Sequence, residues 1–313
     1  MPVRAASEAL NNRAAGRAIN RRGLLGLGAR SAAALAAASA LAGCGTTTVE
    51  ADDDRVQTLR YGANPSQFVE LTLPSSADGP LPVAVVIHGG FWRSAYGLDL
   101  GRPLAATLPE RGWAALNIEY RRVGNGGGYP ATLADVAAAI DVLADAGLAA
   151  AREQGLDLDL SRVVTIGHSA GGHLAAWAAT RSGQDAGSPG AAPAVTVSAV
   201  VSQAGVLDLR ASARDGLGAD AAQAFLDGNP DQVPERYDEV SPIERLPLGV
   251  PTLCVHASGD ENVPISQSET FVEAALGAGD EAELSTVEGD HFVVIDPAAP
   301  AWARVLDWLD RFA

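Results

Sequence analysis

The chain contains no lysine, so its 22 basic residues are all arginines, and they are outnumbered by 38 acidic residues. The formal net charge is −16 at pH 7. Proteins that bind nucleic acids neutralise phosphates with clusters of basic side chains. This excess of carboxylates therefore argues against nucleic acid as a partner and favours a soluble, self-repelling surface.

Cysteine is equally scarce, with Cys44 and Cys254 the only two in 313 residues. Cys44 belongs to an N-terminal segment with the features of an export signal, so Cys254 has no disulfide partner in the domain that follows. Cys254 lies in the apolar run from Pro251 to Val255. We expect it to be a buried small hydrophobe rather than a nucleophile.

No pattern in the sequence indicates a cofactor. The five histidines lack the paired spacing of metal ligands. The glycine cluster at 124–128 does not directly open a helix, as a phosphate-binding loop does. We therefore expect neither a metal ion nor a cofactor.

The first 44 residues have the features of a bacterial export signal. Residues 1–30 carry six arginines and one acid, and an uncharged, alanine-rich stretch follows over 31–43. A positive region before an apolar one is typical of such signals. The segment Asn20–Leu25 resembles a twin-arginine signal, and Leu41–Cys44 resembles a lipobox.

These features predict a signal peptide over residues 1–44, a lipidated Cys44 and an acidic linker over 45–55. The exported protein would be anchored to the outer face of the cytoplasmic membrane, with 16 arginines against 37 acids and a net charge of −21. Two alternatives stay open. One is a transmembrane anchor, although the 13 uncharged residues after Arg30 are few for a bilayer span. The other is an alanine-rich cytosolic tail.

Strands and helices alternate from Val56 to the C-terminus, which is typical of an α/β domain with a mostly parallel, doubly wound sheet. The segment from Leu207 to Ile243 is irregular, with prolines at 230, 234 and 242. We predict one catalytic domain over 56–313, with that segment as a small cap. The predicted strands are Val56–Tyr61, Gln67–Leu73, Leu81–His88, Trp113–Tyr120, Arg162–Gly167, Val197–Gln203, Pro251–Ala257 and Ala282–Glu288. The predicted helices are Leu98–Arg111, Tyr129–Ala146, His173–Arg181, Ser266–Leu276 and Ala301–Phe312.

Ser169 lies in the pentapeptide Gly167-His168-Ser169-Ala170-Gly171, between a predicted strand and a predicted helix. G-x-S-x-G in that context is the pattern of a nucleophile elbow, a tight turn that presents a serine hydroxyl above a sheet. Small neighbours are needed because strand and helix pass close together there. The context therefore predicts Ser169 as a nucleophile.

A nucleophilic serine needs a base for its proton and an acid to orient that base. In hydrolases with this elbow, the acid and then the histidine follow the serine along the chain. Asp260 and His291 come after two later strands, and His291 is the only histidine beyond Asp260. We predict Asp260 as the acid and His291 as the base. The alternatives for the acid are Glu261, Asp290 and Asp208.

The tetrahedral oxyanion of acyl transfer also needs N–H donors. One donor is the amide of Ala170, the residue after the nucleophile. The others should come from the loop after the third strand, where the sequence reads His88-Gly89-Gly90-Phe91-Trp92. Glycines there let the backbone turn its amides toward a substrate carbonyl.

These motifs together resemble the α/β-hydrolase superfamily, from about Arg60 to the C-terminus. Asp260-Glu261-Asn262-Val263-Pro264 is similar to the acid loop of prolyl-oligopeptidase-like hydrolases. His88–Trp92, Tyr61-Gly62 and Asp290-His291-Phe292 resemble kynurenine formamidases (arylformamidases), although Phe91 replaces that family's tyrosine. The resemblance implies an α/β-hydrolase fold. It also implies that Ser169, Asp260 and His291 are catalytic, and that Gly90, Phe91 and Ala170 supply the oxyanion donors.

The leading prediction is a serine hydrolase that cleaves carboxylic esters through an acyl-enzyme. An arylformamidase or amidase would use the same machinery. An exopeptidase is a further alternative because of the acid loop, and a non-catalytic, lipid-anchored binding protein would keep the fold alone. The predicted export favours small-molecule esters over a tryptophan catabolite.

The predicted lipid anchor is tested by replacing Cys44. We expect Cys44→Ser to abolish metabolic labelling with a palmitate analogue, because the thiol that carries the lipid is gone. Labelling and membrane fractionation of the wild-type and variant full-length chains in a bacterial host measure this. Membrane retention of unlabelled Cys44→Ser would indicate a helical anchor instead.

Overall fold

The computed structural model describes residues 56–313. The signal peptide, Cys44 and the 45–55 linker lie outside the described residues, so they stay predictions. The described part has eight strands: β1 Val56–Arg60, β2 Phe68–Thr72, β3 Leu81–Ile87, β4 Ala114–Ile118, β5 Leu158–His168, β6 Ala199–Gln203, β7 Thr252–Ala257 and β8 Ala282–Val287. They form one sheet in the order β1-β2-β4-β3-β5-β6-β7-β8.

Nine α-helices lie in the same part of the chain: α1 Arg102–Ala105, α2 Ala131–Asp141, α3 Ala146–Glu153, α4 Ala170–Ala179, α5 Leu209–Arg214, α6 Leu217–Leu226, α7 Pro234–Val240, α8 Ser266–Ala278 and α9 Pro300–Leu309. Short 3-10 segments are Leu98–Leu100, Pro109–Arg111, Val142–Ala144, Thr180–Gly183, Pro242–Arg245 and Val293–Ile295. None of the helices within 56–313 has the length and hydropathy that crossing a bilayer requires.

The predicted mostly parallel sheet is confirmed. Strand β2 pairs antiparallel with β1 and β4, whereas every other neighbouring pair of the sheet, from β4-β3 to β7-β8, is parallel. Every residue of β3, β4, β6 and β7 is buried. Such continuous apolar strands are typical of a sheet covered by helices on both faces.

Strand β3 shows how one strand serves two cores. Val83, Val85 and Ile87 pack into the core on one face of the sheet. Ala84 and Val86 pack into the core on the other face, together with Trp302 of α9. Successive side chains point to opposite faces of a strand, so the sheet is a doubly wound, central layer between two apolar layers.

Two parts of the predicted helix pattern are wrong. The predicted helix Leu98–Arg111 is a series of short turns, because Gly101 and Pro109 interrupt it and a proline lacks the amide that a helix interior needs. Helix α3 was not predicted. It follows a break at Asp145, where φ is −118° and ψ is −81°.

The cap insertion contains three short helices, α5 to α7, and α6 includes the short helical piece that the sequence predicts at Asp220–Leu226. Pro234 opens α7 at a position where a proline is tolerated, so it does not disrupt the segment. Helix α6 begins irregularly: Gly218, Ala219 and Asp220 all have positive φ, between 53° and 60°. This left-handed stretch at residues 218–220 lies inside the cap, where α6 begins after α5.

The three predicted catalytic residues follow three different parallel strands. Ser169 follows β5, Asp260 lies three residues after β7, and His291 lies four residues after β8. The carboxyl ends of parallel strands meet at one edge of the sheet, where open α/β folds place their sites. The topology thus carries all three residues to the same edge.

The close contact between Gly171 of α4 and Ile87 of β3 leads to a prediction about stability. A Cβ added to Gly171 would lie 2.1 Å from the carbonyl oxygen of Ile87. The nearby atoms of Ile87 and His88 belong to the backbone, so they cannot move aside as a flexible side chain could. We expect Gly171→Ala to lower the free energy of unfolding by about 3 kcal/mol or more. Urea unfolding followed by circular dichroism measures the change.

Gly277→Ala is the matched control. Gly277 lies in α8 with no atom near its built Cβ. Because alanine is the better helix former, this variant should gain up to about 1 kcal/mol. Equal effects of the two substitutions would contradict the close-packing explanation.

Candidate active site

Ser169 occupies a strained turn between β5 and α4. Its φ is 56° and its ψ is −120°, a conformation that non-glycine residues rarely adopt. Its amide donates to the carbonyl of Gln203 in β6 (2.8 Å), and its carbonyl accepts from the amide of Gly172 (2.9 Å). A Cβ on Gly167 would lie 2.0 Å from the carbonyl oxygen of Gly171, so the turn requires glycine there.

Asp260 and His291 are hydrogen-bonded to each other. Nδ1 of His291 donates to Oδ2 of Asp260 at 2.6 Å. The other carboxylate oxygen, Oδ1, accepts from the amides of Asn262 (2.8 Å) and Val263 (2.9 Å). Burial alone would raise the pKa of the Asp260 carboxyl, but the hydrogen bonds from His256, His291 and the Val263 amide outweigh it and hold that pKa well below its usual range.

His256, which the sequence did not single out for a role, is a second imidazole on the Asp260 carboxylate. Its Nε2 lies 3.3 Å from Oδ2 of Asp260 and 2.9 Å from the carbonyl oxygen of Val263. The hydroxyl of Ser268 donates to its Nδ1 at 2.8 Å, which leaves the proton on Nε2. The side chains of His256 and Asp260 are both fully buried. His256 therefore helps to satisfy a carboxylate that has no access to water.

His168 links the serine turn to the histidine loop. Its Nε2 donates to the backbone carbonyl of His291 at 3.0 Å, and the two rings lie 4.5 Å apart. Burial lowers the pKa of His168 to about 3, so it stays a neutral donor. Because His168 directly precedes Ser169, this bond connects the serine turn to the backbone of His291.

Ser169 and His291 are close but not yet bonded. Within residues 56–313, no hydrogen bond joins the Ser169 hydroxyl to the imidazole. Such contacts often tighten only when substrate is bound.

The loop after β3 has three consecutive residues with positive φ: Gly90 (112°), Phe91 (51°) and Trp92 (54°). A Cβ on Gly89 would lie 3.0 Å from Cβ of Ser169, so the loop passes beside the nucleophile. In the described part of the chain, the amides of Gly90, Phe91 and Ala170 donate to no protein acceptor. These free donors are what an oxyanion requires.

A buried ionic cluster supports this loop. Nη1 of Arg122 lies 2.6 Å from Oε1 of Glu119, and Nε2 of His88 lies 3.3 Å from the same oxygen. Burial alone would raise the pKa of Glu119, but the hydrogen bond from His88, the Arg122 charge and the Tyr120 amide together lower it. The Tyr120 hydroxyl also donates to the His88 carbonyl at 2.7 Å. The loop thus rests on an anion whose hydrogen bonds are satisfied.

The cap is connected to the same loop through Trp92. Its indole N–H donates to Nδ1 of His173 in α4 (3.2 Å), and Nε2 of His173 donates to the carbonyl of Val240 in α7 (2.9 Å). The indole also stacks on Phe225 of α6 at 4.9 Å. One buried side chain therefore joins the loop, the elbow helix and two cap helices.

Two further contacts hold the start of the cap over the loop. Nη2 of Arg93 donates to the carbonyls of Gly218 (2.5 Å) and Ala219 (2.9 Å). A Cβ on Gly218 would lie 2.4 Å from the ring of Phe91, so the left-handed turn packs directly on that ring. The cap covers the Phe91 side of the site.

The alternative acids have other contacts in the described part of the structure. Asp208 accepts from the Ala211 amide as the N-cap of α5. Asp290 accepts from the amides of Phe292 and Val293, and Glu261 is exposed. None of these carboxylates contacts His291. Cys254 is buried, as predicted, and burial raises the pKa of its thiol to about 12.

Sequence reasoning missed the supporting residues His168, His173, His256 and Glu119. These three histidines have no metal-ligand spacing and precede Asp260 in the chain, so the motif pattern assigns them no role. The sequence does contain a partial signal for His168 and His256. Each is a polar residue near the end of an otherwise apolar strand, and such a residue needs a hydrogen-bond partner once it is buried. Which partner each residue would meet depends on strand register, which the sequence pattern does not contain.

Known proteins are similar to this chain over most of its length. The BD-FAE family model matches residues 69–275. Esterase LipC of Mycobacterium tuberculosis is 29% identical over 275 residues, which are 80% of this chain and 64% of that protein. The isoprenylcysteine alpha-carbonyl methylesterase ICME of Arabidopsis thaliana is 26% identical, over 74% of this chain and 55% of the relative. The chain thus spans less than two thirds of the length of these curated relatives.

Two solved structures share the fold. A truncated carbohydrate esterase from gut microbiota superposes with a TM-score of 0.69 at 21% identity, covering 83% of this chain and 97% of that one. A thermophilic esterase from Thermogutta terrifontis, solved with propionate, gives a TM-score of 0.64 at 24% identity, over 83% and 94% of the two chains. The predicted α/β-hydrolase fold is confirmed. The resemblance to kynurenine formamidases gains no support from these proteins.

The buried histidines predict a pH dependence of stability. Burial lowers the pKa of His173 to about 4 and that of His168 to about 3, whereas an unfolded imidazole binds a proton near pH 6.5. Between about pH 6.5 and 4 the unfolded chain therefore holds about two more protons from these residues. The free energy of unfolding should fall as the pH falls through that window. Urea unfolding from pH 7 to 4.5 measures the slope.

His173→Gln is the matched variant, because its amide reproduces one donor and one acceptor but does not titrate. In this variant, the difference in bound protons between the unfolded and folded chain, which sets the slope of the unfolding free energy against pH, should be smaller by about one. An unchanged slope in a folded variant would contradict the assignment of a lowered pKa to His173.

Proposed function

Because this chain belongs to the BD-FAE family, we propose that it is a serine carboxylesterase. The observation that carries the proposal is the 2.6 Å hydrogen bond between Asp260 and His291, placed beside the strained Ser169. An acid that orients a histidine next to an elbow serine is the arrangement that acyl transfer needs. The esterase relatives support the same reaction.

Acylation begins when the Ser169 hydroxyl attacks the ester carbonyl carbon. His291 accepts the hydroxyl proton on Nε2, since its Nδ1 is held by Asp260. The carbonyl oxygen becomes an oxyanion that accepts from the amides of Gly90, Phe91 and Ala170. His291 then gives its proton to the leaving alcohol oxygen, the C–O bond breaks, and the acyl group remains on Ser169.

Deacylation repeats these steps with water. His291 removes a proton from water, the resulting oxyanion uses the same amides, and the proton returns to the Ser169 oxygen as the carboxylic acid leaves. Asp260 stays ionised throughout, because its low pKa leaves it a poor acceptor of protons. Its role is to hold the His291 tautomer and to stabilise the imidazolium.

Ester bonds are the favoured substrate class. The similar proteins named above are an esterase, an isoprenylcysteine methylesterase and a carbohydrate esterase, and the formamidase alternative is not favoured. No arrangement in the described residues favours an exopeptidase or a purely structural protein. The esterase is proposed to act outside the cytoplasmic membrane. That location rests on the sequence of residues 1–44 alone and stays a prediction.

The full-length chain and three variants test the proposal on p-nitrophenyl acetate, N-formylkynurenine and an aminoacyl anilide. We expect ester turnover to dominate. Ser169→Ala should abolish it, and Asp260→Asn should lower kcat by about 10⁴-fold, because an amide favours the wrong imidazole tautomer. Asp290→Asn is the control and should keep full activity, since Asp290 only closes a turn.

Labelling with a fluorophosphonate tests the nucleophile without a substrate. The wild type should be labelled at Ser169, and Ser169→Ala should not. Ester turnover that survives in Ser169→Ala, or equal losses in the two aspartate variants, would contradict the assignment.

A further inference from the structure

Phe292 is a large apolar side chain that the fold leaves in water. Four such residues are exposed in the described part of the chain: Val56, Tyr96, Leu276 and Phe292. Phe292 is 54% exposed, and it directly follows the proposed base. An aromatic ring left exposed beside the reacting groups suggests a surface for substrate.

The position of this ring is determined by several contacts. Its centre lies 5.4 Å from the centre of the His291 ring at an angle of 79°, and 6.1 Å from that of His168. The Phe292 amide donates to Oδ1 of Asp290 at 2.9 Å, and its carbonyl accepts from the amide of Ile295 at 3.0 Å. The two hydrogen bonds fix the Phe292 backbone, and the ring lies next to the His291 imidazole.

The route of the proton in the proposed mechanism indicates which half of the ester lies beside Phe292. Nδ1 of His291 is occupied by Asp260, so the proton reaches the leaving oxygen from Nε2. That oxygen must come within about 3 Å of Nε2. The carbon skeleton of the alcohol therefore begins beside the His291 ring, within reach of Phe292. The Phe91 side of the site is covered by the cap turn at Gly218.

We propose that Phe292 forms one wall of a binding subsite for the leaving alcohol, which takes non-anionic alcohols with an apolar or aromatic face. This subsite rests on the proposed esterase function and deepens it. An aromatic wall gains apolar contact and edge or face stacking with such a group. An alcohol with few carbons cannot make these contacts.

The charges of the surrounding loops determine the ionic preference. The two loops that carry Asp260 and His291, residues 258–264 and 288–292, contain the exposed carboxylates of Glu261, Glu288 and Asp290 and no arginine. These groups would repel an anionic alcohol. The alcohol is therefore expected not to be anionic.

The experiment compares two acetate esters that differ only in the alcohol, methyl acetate and benzyl acetate. Their alcohols have similar acidity, and both esters give the same acetyl-enzyme. In Phe292→Ala of the full chain, the ratio of kcat/KM for benzyl acetate to that for methyl acetate should fall about tenfold, as expected for loss of one aromatic contact. Hydrolysis of the common acetyl-enzyme does not involve the alcohol, so the change should appear in kcat/KM.

Two variants serve as comparisons. Leu276→Ala removes an equally exposed apolar side chain from α8 and should leave the ratio unchanged. Tyr96→Ala removes the aromatic ring that packs on Gly90. A fall of the ratio in Tyr96→Ala but not in Phe292→Ala would overturn the placement of the subsite.

The remaining outcomes are also decisive. An equal loss on both esters in Phe292→Ala would mean that the ring only orients His291, which overturns the subsite but leaves the esterase function intact. Failure of the wild type to hydrolyse either ester would overturn the proposed function and the subsite together. Thermal unfolding of each variant shows that the comparison is made between folded proteins.

Discussion

The close approach of backbone at the elbow is the constraint on which the rest of the site depends. Strand β5 and helix α4 meet where Gly167 and Gly171 have no side chain, and Gly171 lies against the carbonyl of Ile87. The chain therefore reverses within one residue, and Ser169 takes up the strain at φ 56°. The turn also determines where the Ala170 amide and the His168 ring lie, because both residues are chain neighbours of Ser169. A methyl group at the contact would separate the elements that create the turn.

Two buried carboxylates flank the turn, and both are fully satisfied. Asp260 accepts from two imidazoles and two amides, and Glu119 accepts from His88, Arg122 and the amides of Leu98 and Tyr120. A buried charge without such partners would cost several kcal/mol. One carboxylate stabilises the histidine loop, and the other stabilises the loop with the free amides. In the proposed reaction, the site would therefore need little rearrangement as charge develops.

The two sides of the site are built differently. On one side, Trp92 and Arg93 bind the loop after β3 to the cap, through His173, Phe225 and the carbonyls of residues 218 and 219. On the other side, the loop of His291 ends in an exposed ring. In the proposed mechanism, the covered side would hold the acyl group and the open side would release the alcohol.

The sequence by itself determined the alternation of strands and helices, the elbow around Ser169 and the order of Asp260 and His291. These are local or sequential properties, because periodicity, small residues at a tight turn and chain order can be read without knowing contacts. It failed where prolines and glycines broke the helix predicted at Leu98–Arg111. Only the tertiary structure decided that His256 and His168 support Asp260 and His291, and that Trp92 meets the cap. Those partners lie on separate strands and helices, and strand register and burial, rather than sequence spacing, decide which polar atoms must satisfy one another.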